Sequence, residues 1–133
     1  MSAMVLDSFA LIAYFRGEPA GMLVKDILQK ASKADKPVHM TEVNYAEAKY
    51  MILRKYGAEA WAEAANSLVA LPIEFHPADR ELADVAADFK SRFSLSLADA
   101  FAAALAKQYK AALVTGDPEF EAVEKEIKIQ WMG

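Results

Sequence analysis

The segment from Ser96 to Asp117, SLADAFAAALAKQYKAALVTGD, decides the fold. Ser96 is a helix-capping residue, and the alanine-dominated run after it, to about Tyr109, is strongly helix-forming. From Ala100 to Ala106 that helix is apolar on all sides, which marks a helix buried inside a protein rather than one lying on its surface. Ala112 to Thr115 is then a short apolar run read as a buried strand, and Asp117-Pro118 opens a further short helix. A buried helix feeding a buried strand is the repeating unit of an α/β protein.

The same alternation extends in both directions. Ala3 to Leu6 reads as a strand ending in Asp7-Ser8, followed by a helix from Phe9 to Arg16. Gly17-Glu18-Pro19 breaks the chain, and a helix runs from there to about Lys33 with Leu23, Ile27 and Leu28 on one face. Pro37 to Met40 is a second strand. Thr41 to Tyr56 is a helix stopped by Gly57, and Ala58 to Leu71 is another. Pro72 to Phe75 is a third strand, Asp79 caps a helix over Arg80 to Phe93, and Ile127 to Trp131 is a last strand. The order predicts an α/β fold: an αβα sandwich with a mostly parallel central sheet.

A chain of 133 residues, 55% of them hydrophobic, suits one domain over residues 1–133. It has no cysteine, so disulfides, thiol catalysis and cysteine-ligated zinc are excluded. The longest nearly uncharged run, Leu97 to Ala106, is too short to span a bilayer, and no basic-then-apolar N-terminal signal is visible. A soluble, cytoplasmic protein is expected. The net charge of −4 argues against a broad basic surface for nucleic acid, unless the acids are concentrated in one cation-holding pocket.

Four acids stand where such a pocket would form. Ligands of open α/β sheets bind at the carboxyl ends of the strands. Asp7 follows the first strand, and Asp117 follows the fourth. Asp99 lies in the first turn of the helix begun at Ser96, and Glu47 interrupts the stripe Val43, Tyr50, Met51, Arg54. Each has a local explanation. Asp7 can cap the first helix, Ser96-x-x-Asp99 is close to a capping box, Asp117-Pro118 is a good helix start, and Glu47 can pair with Arg54. Together they point further. Converging carboxylates repel one another and protonate unless cations meet them, and Mg²⁺ or Mn²⁺ prefers such oxygen ligands.

At these residues the chain resembles the PIN-domain family, and within it the toxin ribonucleases of VapBC toxin–antitoxin systems. Four segments carry the likeness: Val5-Leu6-Asp7-Ser8, Val43-Asn44-Tyr45-Ala46-Glu47, Leu95-Ser96-Leu97-Ala98-Asp99-Ala100-Phe101, and Leu113-Val114-Thr115-Gly116-Asp117-Pro118-Glu119-Phe120. They come in the family's order and cover nearly the whole chain. The resemblance implies that Asp7, Glu47, Asp99 and Asp117 are catalytic and that RNA is the substrate. Asp7, Asp99 and Asp117 would hold Mg²⁺ (or Mn²⁺), and Glu47 would bind through water or orient the attacking water. Ser8 and Thr115 match small hydroxyl residues that support the site, and Asn44 matches a position often occupied by asparagine. A VapB-type protein antitoxin is the implied partner. Glu42 is read as a surface residue, and Glu119 is placed on the solvated face by default, with an outer acid of the site as the alternative.

The expected chemistry is metal-assisted hydrolysis, leaving a 5′-phosphate and a 3′-OH. His39 and His76 lie outside the matching segments and are read as structural, and Ser8 has no evident base. Arg16, Lys49, Arg54 and Arg92 flank the acidic segments as candidate phosphate contacts, each more easily explained as an ordinary surface charge. Tyr45, Tyr50, Met51, Ile52, Tyr56 and Trp61 are too many for two amphipathic helices to turn toward one core: they either wrap the core edge or form an interface, and the resemblance implies the interface of a homodimer. Three alternatives remain. One is a phosphohydrolase using Asp7 as nucleophile, disfavoured by Phe9 two residues on and by the lack of a glycine-rich phosphate loop. The others are an RNA-processing nuclease without a toxin role and a non-catalytic interaction module.

Overall fold

The computed structural model describes residues 3–133. In chain order the elements are β1 (Met4–Leu6), α1 (Ser8–Phe15), α2 (Gly21–Ala34), β2 (Val38–Thr41), α3 (Glu42–Tyr56), α4 (Ala58–Leu68), β3 (Ile73–His76), α5 (Arg80–Arg92), α6 (Leu97–Gln108), β4 (Ala112–Thr115), a 3₁₀ helix (Pro118–Val123) and β5 (Ile129–Trp131). The five strands form one sheet in the order β3-β2-β1-β4-β5, and every neighbouring pair is parallel. The sheet is therefore wholly parallel among the described residues, where the sequence supported only "mostly".

Side chains alternate across each strand, and the two faces feed separate halves of the core. Val5 and Leu113 point to the side of α5 and α6, where Phe89, Phe101, Leu105 and Phe120 complete a buried cluster. Leu6 and Val114 point to the other side, onto Val24, Ile27 and Leu28 of α2 and Ala10 and Ala13 of α1. α6 is the buried helix its composition predicts: every residue from Asp99 to Ala106 is buried. Its alanines let it lie close to the sheet, while α5 covers its outer side.

The element boundaries depart from the sequence reading by a few residues, for local reasons. α1 begins one residue earlier because Asp7 itself is the cap, its side chain accepting from the backbone N–H of Ala10. α2 starts at Gly21 rather than near Pro19, which sits in the preceding turn. α4 ends at Leu68, three residues short, and Leu71 instead packs as a partly buried contact under β2 and β3. Gly57 ends α3 as expected, with a φ of +93° that a side chain would resist.

The topology defines one special place. From β1 the chain moves outward through β2 to β3, then returns to the other side of β1 for β4 and β5. The strand order thus reverses between β1 and β4, and the crevice beyond the carboxyl ends of two such strands is where open α/β sheets bind ligands. Asp7 follows β1 and Asp117 follows β4.

Candidate functional site

A cleft of about 430 Å³ opens at that switch point, and Asp7, Ser8, Glu47, Asp99, Asp117 and Glu119 all line it. The structure brings together the four acids singled out from sequence.

Asp7 forms the floor. It is only 2% exposed, and both its oxygens are engaged. Oδ1 accepts from the Ala10 backbone N–H at 2.8 Å, and Oδ2 accepts from the Thr115 hydroxyl at 2.5 Å. The cap explanation and the pocket explanation are therefore both true of the same carboxyl. Thr115, fully buried at the end of β4, also accepts from the backbone N–H of Asp117 at 3.0 Å, so one hydroxyl fixes two of the acids. Ser8 donates to Glu47 across the α1–α3 junction. The partner of Glu47, which from sequence could have been Arg54, is thus a neutral hydroxyl.

Asp99 differs, because it receives a cap and does not supply one. Its backbone N–H is capped by Ser96 Oγ at 3.1 Å, while its carboxyl lines the cleft. Asn44, fully buried in α3, donates to the Ala98 carbonyl at 3.1 Å and is itself hydrogen-bonded to Thr41. This ties the helix that carries Glu47 to the first turn of the helix that carries Asp99. Gly116 leaves room at the other wall: a Cβ there would sit 2.5 Å from the Phe9 ring, whose partly exposed edge forms the rim.

Glu119 departs from the expectation of a solvated-face acid. It is exposed, yet it stands at the mouth of the cleft, and one carboxylate oxygen from each of Asp99, Asp117 and Glu119 lies within 4.8 Å of the others. The signal was available in the sequence. Asp117-Pro118-Glu119 enters a 3₁₀ helix whose cap is Asp117, and the Asp117 carboxylate accepts from the Glu119 backbone N–H at 2.9 Å, folding the second acid back beside the first. Glu18 and Lys55 also line the cleft and were not singled out. Lys55 lies beyond the matching segment of α3, on a part of the helix that looked like plain surface.

The electrostatics follow from burial and crowding. Burial pushes the Asp7 carboxyl up to about 7, against the lowering effect of Thr115 and Ala10, with Asp99 and Asp117 adding repulsion. Asp99 is raised to about 6, first by burial, against the lowering effect of the Ser96 hydroxyl, and then by the charge of Asp117, a hydrogen bond with Glu119 and the charge of Glu47. The donor set is all carboxylate oxygen, the ligand chemistry of a hard divalent cation, and the acid cluster can bind such an ion.

The other candidates sort differently. Arg92 is held by Asp88 and Glu126 on the outer surface of α5 and does not line the cleft. Arg16 lies over the Tyr56 ring at 3.7 Å, and Lys49 is 5.5 Å from the Trp61 ring. Among the aromatic and apolar residues of α3 and α4, Ile52 joins the core, and Tyr45 packs edge-on against Trp61 and Phe75. Tyr50 is exposed, and Met51 and Tyr56, also exposed, line the cleft. No helix among the described residues is long and apolar enough to cross a membrane.

With this geometry in hand, comparison places the chain. The sequence profile of the PIN domain matches residues 4–126, and the chain belongs to the PIN-domain family. No curated protein matches it by sequence. Among solved structures it is similar to a chain of VapBC2 from Rickettsia felis bound to a DNA fragment from their promoter. The TM-score is 0.79 and the identity 12%, over 98% of this chain and 99% of that one. A chain of DNA-bound VapBC from Salmonella typhimurium gives a TM-score of 0.77 at 14% identity, each chain covered completely. VapC20 from Mycobacterium tuberculosis, a sarcin-ricin loop cleaving toxin, gives 0.66 at 19%, over 91% of this chain and 95% of that one. At these identities the likeness is one of fold.

Proposed function

We propose that this PIN-domain chain is a divalent-metal-dependent endoribonuclease, the toxin half of a toxin–antitoxin pair. The observation that carries the reading is the convergence of Asp99, Asp117 and Glu119 oxygens above the buried Asp7, at the topological switch point. The likeness to chains of VapBC complexes and to an RNA-cleaving VapC toxin supports both the RNA substrate and the toxin role.

In this reading Asp7, Asp99 and Asp117 hold Mg²⁺ or Mn²⁺, with Glu119 added to the set first drawn from sequence. The bound ion would supply the positive charge that activates water and neutralises the phosphodiester. The protein's own groups do the positioning. Thr115 fixes Asp7 and Asp117 together, and Asn44 locks α3 against α6. Glu47 accepts from Ser8, leaving its remaining acceptor capacity for a water in the cleft. Among the described residues Lys55 is the one cation lining the cleft and would meet an RNA phosphate, with Tyr56 and Phe9 as apolar walls for a base. The exposed residues Tyr50, Met51 and Leu53 supply a surface for the proposed homodimer or for a VapB-type antitoxin. An antitoxin placing an arginine or lysine in the cleft would pair with the carboxylates in the cation's stead.

The test is cleavage of RNA by the purified chain with and without chelator. Activity should vanish in EDTA and return with Mg²⁺ or Mn²⁺, with products carrying a 5′-phosphate and a 3′-OH. Full activity in metal-free buffer, with 2′,3′-cyclic phosphate ends, would overturn the reading.

A further inference from the structure

Outside the acidic cleft, His39, Glu74 and His76 form a second cluster of ligating side chains. His39 and Glu74 are register partners on the parallel strands β2 and β3, so their side chains share a face of the sheet. His76 is two residues beyond Glu74 on β3 and returns to that same face. His39 Nδ1 and His76 Nε2 are 2.9 Å apart, and the Glu74 oxygens lie 3.8 Å from the first and 3.9 Å from the second. One ligand atom from each residue falls within 4.8 Å of the others.

We propose that His39, His76 and Glu74 are a binding site for a borderline transition-metal ion such as Zn²⁺, distinct from the carboxylate cleft. The chemistry of the donors selects the ion. Imidazole favours zinc, nickel and copper over magnesium, whereas the cleft offers hard oxygen alone. The spacing suits it too. Ligand atoms ~2.1 Å from one tetrahedral zinc lie about 3.4 Å from each other; the two histidine nitrogens are 2.9 Å apart, and each has a different Glu74 oxygen at 3.8 Å or 3.9 Å, so a small rotation of the exposed carboxylate completes the set. Two histidines and one glutamate leave the fourth position to water.

The surroundings are those of a metal ligand set. Tyr109 stacks on the His39 ring, with centroids 4.6 Å apart, and its hydroxyl lies 3.3 Å from His76 Nδ1. With a metal on Nε2, that Nδ1 carries the proton and donates to Tyr109, an outer contact of the kind that fixes the tautomer and orientation of a ligating histidine. Tyr109 is the C-cap of α6, so the cluster sits near the negative end of that helix's dipole, where a cation is favoured. Both histidine side chains are 13% exposed, and Glu74 is more than half exposed, so an ion can enter from solvent. A bound metal would clip β3, at the sheet edge, to β2.

The site stands apart from the nuclease reading. His39, Glu74 and His76 do not line the cleft, and α6 carries Asp99 at its first turn and Tyr109 at its other end, about 15 Å away at the rise of an α-helix.

The experiment uses the tag-free full chain in excess Mg²⁺, which fills the cleft without competing for imidazole. Zn²⁺ is added while long-range ¹H–¹⁵N spectra are recorded. The chain has two histidines, so the spectrum contains His39 and His76 alone. The expected result is that one equivalent of Zn²⁺ shifts both imidazoles and raises the Tm. His76→Ala and Glu74→Gln should each weaken binding at least about tenfold, Tyr109→Phe should weaken it less, and Asp99→Asn should leave it unchanged. Imidazoles of the wild-type chain unmoved by equimolar Zn²⁺ would overturn the proposal. So would zinc affinity lost in Asp99→Asn and retained in His76→Ala, which would put the ion in the cleft.

Discussion

The molecule holds two clusters of carboxylates, and it treats them in opposite ways. On the outer surface, Asp88 and Glu126 grip Arg92, and Lys107 stands 3.6 Å from Glu126. Every charge there has a partner, and Arg92 holds the Glu126 carboxyl below the usual range. In the cleft, Asp7, Asp99, Asp117, Glu119 and Glu47 gather, with Lys55 as the only cation on the wall among the described residues. Among those residues no ion pair meets these acids, and the two most buried, Asp7 and Asp99, are pushed upward. The first cluster is complete in itself. The second has no such partners in the chain, and its oxygens can accept a cation from outside. That difference between acids matched to arginine on one face and acids unmatched at the switch point is what the proposed cation site rests on.

The largest effects should follow from removing one cleft acid while keeping its shape. Asp7→Asn retains the cap of α1, and Asp99→Asn leaves the Ser96 cap of α6 untouched. Each should lower RNA cleavage by more than about a hundredfold, beyond the loss typical of outer contacts to a metal ligand. Far-UV circular dichroism should be unchanged. Retained cleavage in both folded variants would return these acids to their capping roles and erase the contrast between the clusters.

Stability should move the other way. Asp7 has a folded pKa raised from 3.8 to about 7. Its contribution is therefore fully present below pH 3.8 and is lost as pH rises through about 7. In metal-free buffer this amounts to as much as about 4 kcal/mol, at about 1.4 kcal/mol per pKa unit. Asp7→Asn should thus be more stable than the wild type in denaturant at pH 8 without metal, and the gap should shrink on acidification and on adding Mn²⁺. A wild type whose metal-free stability does not fall across that interval would show Asp7 to be less perturbed than its burial implies.

Thr115→Val sharpens the comparison by removing a positioning contact alone. It deletes the hydroxyl that holds Asp7 and Asp117, and should weaken Mn²⁺ binding about tenfold without emptying the cleft of charge. Lys55→Ala should raise KM for RNA about two- to fivefold with little change in kcat, the weight of one exposed phosphate contact. Arg92→Ala is the matching change in the paired cluster and should leave cleavage unaltered. If Arg92→Ala lowers cleavage as much as Lys55→Ala does, RNA crosses the α5 surface as well.

How much of this was legible follows from what each residue's neighbours are. The order of strands and helices and the buried α6 could be read because periodicity and alanine content are local properties. The convergence of the four acids could be inferred because strand ends in an α/β sheet share one side. Glu119 was misplaced because its position depends on how a 3₁₀ turn folds back on Asp117, a tertiary fact that exposure statistics do not carry. Lys55 escaped for a similar reason, sitting on a helix turn whose neighbour, the cleft wall, is distant in sequence. The histidines looked structural one at a time. Only the β2–β3 register sets His39 beside Glu74 and His76.

Asp7 and Asp99 should be protonated in part when the cleft is empty and ionised when a cation joins them. Mn²⁺ titration calorimetry near pH 6.5, repeated in two buffers of different ionisation enthalpy, measures it most directly. The account predicts saturable binding with net release of protons, about one per ion, that fades by pH 8.5 and is lost with the binding itself in Asp99→Asn. Failure to bind Mn²⁺, or binding that releases no protons at pH 6.5, would contradict it.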